Sequence, residues 1–163
     1  MLIRLTDVAT ATTRQLQFAY TFVGAAIASR TVTRVLPTGN EVTTYTYDTL
    51  GNLTSLTNAL GQTVSWTNHN GYGQPGRYTD LNGAITDYAY DVKGNRTSVT
   101  LYVPGGTRTT TYTYDNNHRI TDIAFADGRV QRFRYNAAGR LTSAGNAQGE
   151  FVSYNFNVAT NSA

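Results

Sequence analysis

A repeat with a period of 21 to 24 residues constrains this sequence more than any other feature. Most copies contain an aromatic residue, one intervening residue and a second ring, then Asp or Asn, and Gly three residues later. The second ring is, in successive copies, Tyr47, His69, Tyr90, Tyr114 and Tyr135. A fixed period of this length is typical of stacked repeat architectures, in which each unit covers part of its neighbour.

Two weaker copies flank these five. The segment from Phe18 places Tyr20 in the second ring position, and the segment from Tyr154 places Phe156 there and stops before its next strand. We therefore divide the chain into an N-terminal lead-in of atypical strands, residues 1–17, and a repeat array of about six units, residues 18–163, whose last unit is truncated.

A second glycine recurs halfway between the first ones. It is Gly39, Gly61, Gly83, Gly105 or Gly106, Gly128 and Gly149. The segments between turns are roughly 5–9 residues long and rich in Thr, Val, Leu and Tyr, which is the signature of successive antiparallel strands. The composition agrees, with 12 Tyr, 15 Gly and one Lys. The sequence thus predicts an all-β fold of tandem antiparallel β-hairpin repeats that form a twisted, curved strip.

The alternation within one strand predicts two different faces. Thr43, Tyr45 and Tyr47 point one way because side chains in a strand alternate with period 2. Tyr88 and Tyr90 occupy the matching face in a later repeat. We expect these aromatic rings to stack in ladders, with ring–ring contact adding to burial.

The residue after the second ring raises the question of chemistry. It is Asp48, Asn70, Asp91, Asp115, Asn136 and Asn157. A row of carboxylates would suit acid–base catalysis or a cation, but half of these residues are Asn, which does not exchange a proton in that role. Asn and Asp both accept hydrogen bonds from the backbone two residues on, so we predict Asx turns.

The other chemistry-bearing side chains also follow the repeat. His69 occupies a ring position, and His118 replaces a turn glycine, where His tolerates a positive φ better than most residues. Ser55, Ser98 and Ser143 recur with the period, and no His shares their positions, so no nucleophile with an adjacent base is visible. We predict no catalytic residues and therefore no enzyme.

One glycine cluster imitates a cofactor motif. Gly71, Gly73 and Gly76 spell G-x-G-x-x-G, but Pro75 interrupts it and a strand-like segment follows where a dinucleotide site needs a helix. We predict no cofactor-binding residues, no metal ligands and no cofactor.

The charge suggests one further class of partner. The net charge is +3 and the sequence pI about 9.3, and 12 of the 13 basic residues are Arg. Arg129, Arg132 and Arg134 cluster around Phe133, which raises nucleic acid as a partner. We favour pairing of these arginines with Asp residues of neighbouring turns, so nucleic acid is not a predicted partner.

The apolar stretches are short. The longest, residues 18–28, is too short to span a bilayer, and the chain begins without a signal-peptide pattern. The sequence contains no Cys, so no disulfide holds the fold. These features fit a secreted or cell-surface bacterial protein whose export signal is not within this chain.

The repeating unit Y-D-x-x-G-[RN]-[LR]-T-S, followed by a D/N-x-x-G turn, resembles the RHS/YD repeat. The resemblance extends from about residue 18 to the end. It implies a bacterial Rhs, toxin-complex or wall-associated protein, in which many repeats form a β-strip that spirals into a hollow shell around a toxic domain. Six repeats do not close such a shell, and none of Pro37, Pro75 and Pro104 follows an Asp, as the family's self-cleaving motif requires.

The predicted function is therefore a non-catalytic structural segment of an RHS-type exported or toxin-delivery protein, a partial shell. Its expected partners are further copies, joined through terminal strand edges, or the remainder of a longer strip, with a toxin cargo in the parent protein. The alternative is a surface adhesion module that binds a glycan or a protein through exposed Tyr and Arg.

Overall fold

The computed structural model describes residues 2–7 and 12–154. These residues form β-strands joined by turns, and they include no helix. The strands are β1 (Leu2–Asp7), β2 (Thr12–Val23), β3 (Ala26–Val35), β4 (Glu41–Tyr47), β5 (Leu53–Thr57), β6 (Thr63–Thr67), β7 (Arg77–Thr79), β8 (Ile85–Tyr90), β9 (Arg96–Val103), β10 (Gly106–Tyr114), β11 (Ile120–Ala124), β12 (Val130–Tyr135), β13 (Leu141–Asn146) and β14 (Phe151–Ser153). The all-β prediction is confirmed.

The chain divides into two compact units, Met1–Thr86 and Asp87–Ala163, and the boundary falls within β8. In the first unit, β1 to β7 pair antiparallel in sequence order. In the second unit, β9 to β14 do the same. The hairpin is therefore the building block of each unit, as the repeat predicts. The assignment of residues 1–17 as a lead-in stays a prediction.

Most hairpins close through one five-residue turn, which we number from position 1 to position 5. The N–H of position 1 donates to the carbonyl of position 5, and the N–H of position 4 donates to the carbonyl of position 1. Position 4 has a positive φ, for example 85° at Gly51, which glycine adopts without a steric penalty. These turns cover residues 48–52, 58–62, 70–74, 80–84, 91–95, 115–119, 125–129, 136–140 and 146–150.

The hairpin β2–β3 corrects the predicted alignment of the weak N-terminal copy. Thr21 pairs with Ser29 and Phe22 with Ile27, with a register shift between them. The same shift separates the corresponding residues Thr46 and Tyr47 of β4. Phe22, and not Tyr20, therefore holds the second ring position. Residues 24 and 25 connect the strands without an Asx residue, so the weak copy lacks the side chain that marks the turn in the other copies.

The pleat gives each unit two chemically distinct faces. In β4 one side carries Tyr45 and Tyr47 and the other carries Thr44 and Thr46, and the registers extend both sets across neighbouring strands. We call the first side the aromatic face and the second the hydroxyl face. None of the described side chains is buried on either face. Since β1–β7 and β9–β14 each contact only their sequence neighbours, no second layer covers them within their unit.

Candidate interaction surface

The Asx side chain at position 1 organises each regular turn. In the turn of Asp48, Oδ1 accepts from the N–H of Leu50 and of Asn52, both at 2.9 Å. The Nδ2 of Asn52 donates to Asp48 Oδ2 at 2.8 Å. The bond to the residue two positions on confirms the predicted Asx turn, and the bonds to position 5 extend it. Both carboxylate oxygens are thus used within the turn.

An asparagine performs the same task where it replaces aspartate. Asn70 Oδ1 accepts from the N–H of Tyr72 at 2.9 Å and from that of Gln74 at 3.1 Å, and Asn70 Nδ2 donates to Gln74 Oε1 at 2.9 Å. Position 1 of the turn therefore requires a hydrogen-bond acceptor, and it does not require a group that exchanges a proton. The remaining predicted Asx residue, Asn157, lies outside the described residues.

The turn of residues 125–129 shows how the geometry survives without an Asx residue at position 1. Phe125 occupies that position, and Asp127 at position 3 accepts from the N–H and from Nε of Arg129, at 3.1 and 2.7 Å. The Arg129 guanidinium carbon also lies 5.2 Å from the centre of the Phe125 ring. A carboxylate at another turn position and an arginine–ring contact replace the missing side-chain bonds.

Hydrogen bonding within the turns lowers the carboxyl pKa values. Donation from the Asn52 side chain holds the pKa of Asp48 below its ordinary value, and Asn95 does the same for Asp91. The Arg119 side chain lowers the pKa of Asp115. These aspartates are ionised turn elements. A general acid needs the opposite shift, toward neutral pH.

Turns that follow one another on the same side of a unit are in contact: position 5 of one turn lies against position 4 of the next. In the first unit, a Cβ added to Gly73 would lie 2.7 Å from Asn52 Oδ1. In the second unit, Nδ1 of His118, at position 4 with φ of 63°, lies 2.6 Å from Asn95 Oδ1. His118 thus adopts the positive φ, as predicted. Its side chain forms a hydrogen bond with Asn95, whereas Gly73, at the same turn position in the first unit, has no side chain to do so. Sequence spacing alone did not indicate this contact between repeats.

On the aromatic face, guanidinium groups lie against the tyrosine rings. The guanidinium carbon of Arg96 lies 5.9 Å from the ring centre of Tyr88 and 5.4 Å from that of Tyr112. Arg119 approaches the Tyr135 ring at 4.7 Å. Tyr stacking was the expectation, but arginines from β9 and from the turn of residues 115–119 lie against these rings, and such cation–π contacts are favourable for the planar guanidinium. A ring pair does occur between Trp66 and Tyr78, with centroids 5.6 Å apart.

The hydroxyl face is bonded across its strands by Thr and Ser side chains. Thr46 Oγ1 lies 2.6 Å from Ser55 Oγ, and Thr57 Oγ1 lies 2.7 Å from Thr63 Oγ1. In the second unit, Thr100 and Thr109 are joined at 3.0 Å. Ser55 is therefore a cross-strand partner of Thr46.

The glycine cluster and the arginine cluster take local structural roles. Gly73 is position 4 of a turn, and the short strand β7, rather than a helix, follows Gly76. Arg132 Nε lies 3.4 Å from Asp122 Oδ1 on the adjacent strand, not on a turn as predicted. Arg134 donates to the carbonyl of Phe133 at 2.9 Å. The three arginines thus do not form a single cationic patch.

Large apolar side chains remain in solvent at several turn tips. Leu50, Leu60 and Val92 are 85, 83 and 90% exposed. Over residues 2–7 and 12–154 the structure brings together no group of His, Cys, Asp and Glu that could hold a metal ion. The same residues provide no helix with the length and apolar character that crossing a membrane requires.

Comparison with known proteins gives two results. The RHS repeat family model matches residues 29–63 and 114–150. Among solved structures, the chain is similar to the crystal structure of TcdB2-TccC3-Cdc42, with 14% identity and a TM-score of 0.43, covering 80% of this chain and 9% of that one. A Tc holotoxin pore of Photorhabdus luminescens matches at 14% identity, with a TM-score of 0.45 and the same coverage. The chain therefore spans about a tenth of the length of these structures. A search of curated proteins finds no match.

Proposed function

We propose that this chain, which matches the RHS repeat model over residues 29–63 and 114–150, is a non-catalytic wall segment of a larger RHS-type assembly. The two matched segments support this proposal, since they fall in both units and include regular Asx turns. The polar groups of those turns are used in closing hairpins, which favours a structural role over catalysis.

The observation that carries the proposal is the absence of any buried side chain among the described residues. A sheet with an apolar face is normally stabilised by packing that face against another layer. On the aromatic face, Tyr20, Leu101 and Val152 keep 42, 45 and 62% of their surface in solvent. A domain built to stand alone would bury such residues, so a second surface is expected to cover this one.

We infer that the covering surface is the remainder of a longer RHS strip or further copies of this chain. In the proposed assembly the sheet curves as part of a shell, and a toxin cargo lies inside the parent protein. The parent would be a secreted or surface-associated bacterial protein. The two segments that match the RHS repeat model support this setting.

The experiment uses two lysine substitutions of matched exposure on opposite faces. Leu101 on the aromatic face is 45% exposed, and Val42 on the hydroxyl face is 39% exposed. In light scattering across a concentration series, the unmodified chain should form larger species. Leu101→Lys should weaken this association, whereas Val42→Lys should leave it unchanged.

A third variant tests association through the last described strand. Val152 in β14 is 62% exposed, and Val152→Lys should also lower the apparent mass if strand edges contribute. A folded chain that stays monomeric at high concentration and binds no hydrophobic dye would contradict the wall proposal. Selective binding on a glycan array would favour the adhesion alternative instead.

A further inference from the structure

A groove of about 620 Å³ opens on the aromatic face of the first unit. It lies between the connection that joins β2 to β3 and the turn of residues 48–52. Its apolar lining comes mainly from Tyr20, Ile27, Tyr47 and Leu50, and its one charged residue is Arg30. A mostly apolar concavity with a single fixed charge is the usual composition of a ligand site.

Arg30 differs from the next arginine on the same side of β3. Arg34 faces Glu41 across the strand pair, and its Nη1 lies 3.1 Å from Glu41 Oε2. Arg30 instead faces Tyr20 and Tyr45, and its guanidinium carbon lies 4.2 Å from the Tyr45 ring centre. Within the described part of the chain, the same strand thus pairs Arg34 with a carboxylate and sets Arg30 between two tyrosines.

One side-chain donor of Arg30 has no acceptor. Among the residues that the structure describes, its Nε is buried and has no hydrogen-bond partner. The carboxylate of the adjoining turn does not supply one, because both oxygens of Asp48 accept bonds from Leu50 and Asn52. A buried donor without an acceptor is costly, and a guanidinium fork matches a carboxylate in two places.

We propose that this groove binds a peptide segment that carries a carboxylate side chain next to an aromatic or aliphatic one. The carboxylate pairs with Arg30, and the apolar neighbour rests on Ile27, Leu50 and the tyrosine rings. Stacking on Tyr45 holds the guanidinium plane in place, so less side-chain entropy is lost on binding. The groove lies within the first unit, between the β2–β3 connection and the turn of residues 48–52.

The test is a titration of the full chain with acetyl-Phe-Glu-Phe-amide, followed by amide chemical shifts. Acetyl-Phe-Gln-Phe-amide is the neutral control peptide. The acidic peptide should shift residues around Arg30, and Arg30→Gln should weaken its binding roughly tenfold or more, as expected for loss of charged hydrogen bonds. Arg134→Gln makes the same change of net charge elsewhere and should leave the affinity unchanged.

A second variant guards against misfolding of Arg30→Gln. Leu50 is 85% exposed, so Leu50→Ser should fold normally and still weaken the acidic peptide several-fold. Equal binding of the Gln peptide, equal loss in Arg134→Gln, or an unaffected Leu50→Ser would each overturn the proposal. Phenylacetate binding as tightly as the peptide would overturn the choice of a peptide ligand. Self-association in light scattering is measured separately, so neither result decides the other.

Discussion

The hairpins β5–β6 and β9–β10 begin alike and end differently. In the first, Thr57 pairs with Thr63 and the five-residue turn of residues 58–62 follows at once. In the second, the corresponding Thr100 pairs with Thr109, but the strands continue for three more pairs. The hairpin then closes through Pro104 and Gly105, with Gly105 at φ of 87°. This insertion accounts for the 24-residue spacing of that repeat.

The difference is explained by one residue. After Thr57 comes Asn58, whose Oδ1 accepts from the N–H of Leu60 and of Gln62 at 3.0 Å and so ends the strand. After Thr100 comes Leu101, which has no acceptor, and the backbone continues pairing until Pro104, which has no N–H to donate. The Asx residue therefore sets strand length in this repeat, in addition to closing the turn.

The largest expected effect comes from removing the Asx side chain of a regular turn. Asn58→Ala removes two backbone hydrogen bonds and the contact with Gln62 Oε1, so it should lower the free energy of unfolding by about 1–2 kcal/mol. Asn58→Asp keeps the acceptor and should cost much less. Urea denaturation of both variants measures the difference.

Replacing Asp with Asn tests whether position 1 of the turn needs a negative charge. Asp91→Asn should melt at nearly the same temperature as the unmodified chain, because Asn fills this position in other turns, whereas Asp91→Ala should melt lower. If Asn proves as harmful as Ala, position 1 needs a negative charge, and a cation or acid role must be considered again.

The second-largest expected effect is a difference between hairpins in how turn stability depends on pH. Hydrogen bonds from Asn95 and Arg119 side chains hold the pKa values of Asp91 and Asp115 below the ordinary value. A lowered folded-state pKa gives stability that is complete above the unfolded value of about 3.9 and is lost as pH falls through the folded value. Regular turns with Asp should therefore open in hydrogen exchange below about pH 4.

The turn at Pro104 and Gly105 contains no carboxylate, so its exchange should not show that acid dependence. Asp91→Asn should remove the dependence from its own turn only. Equal acid sensitivity in the turns of Asp91 and Gly105 would mean that a global charge effect, not the turn hydrogen bond, controls opening.

The smallest effect is expected from shortening the extended hairpin. Residues 101–108 are mostly exposed, including Leu101 and Tyr102 at 45% each. Replacing them with the turn sequence Asn-Ala-Leu-Gly-Gln should restore the regular hairpin and change the free energy of unfolding by less than about 1 kcal/mol. A loss of several kcal/mol would show that the extension supports the fold, for instance through the bond from Tyr102 to Asp87.

Sequence reasoning located the regular hairpins because each is encoded locally. Asp48 and Gly51 suffice to define a turn, since one supplies the acceptor and the other the positive φ. The same logic placed His118 correctly in a glycine position. It failed for the first copy, where no Asx residue marks the turn and Phe18 competed with Phe22 for the alignment. Only the register settled that choice.

The sequence by itself determined the antiparallel hairpins, the turn chemistry and the two faces, because alternation and turn bonds depend on residues close together in the chain. The tertiary structure decided which side chains meet across strands. It placed Arg96 between Tyr88 and Tyr112, joined His118 to Asn95, and set Arg30 beside two tyrosines, with no acceptor for its Nε among the residues described. These contacts join residues 8 to 23 positions apart. They depend on strand register, which a one-residue change in a turn is enough to shift.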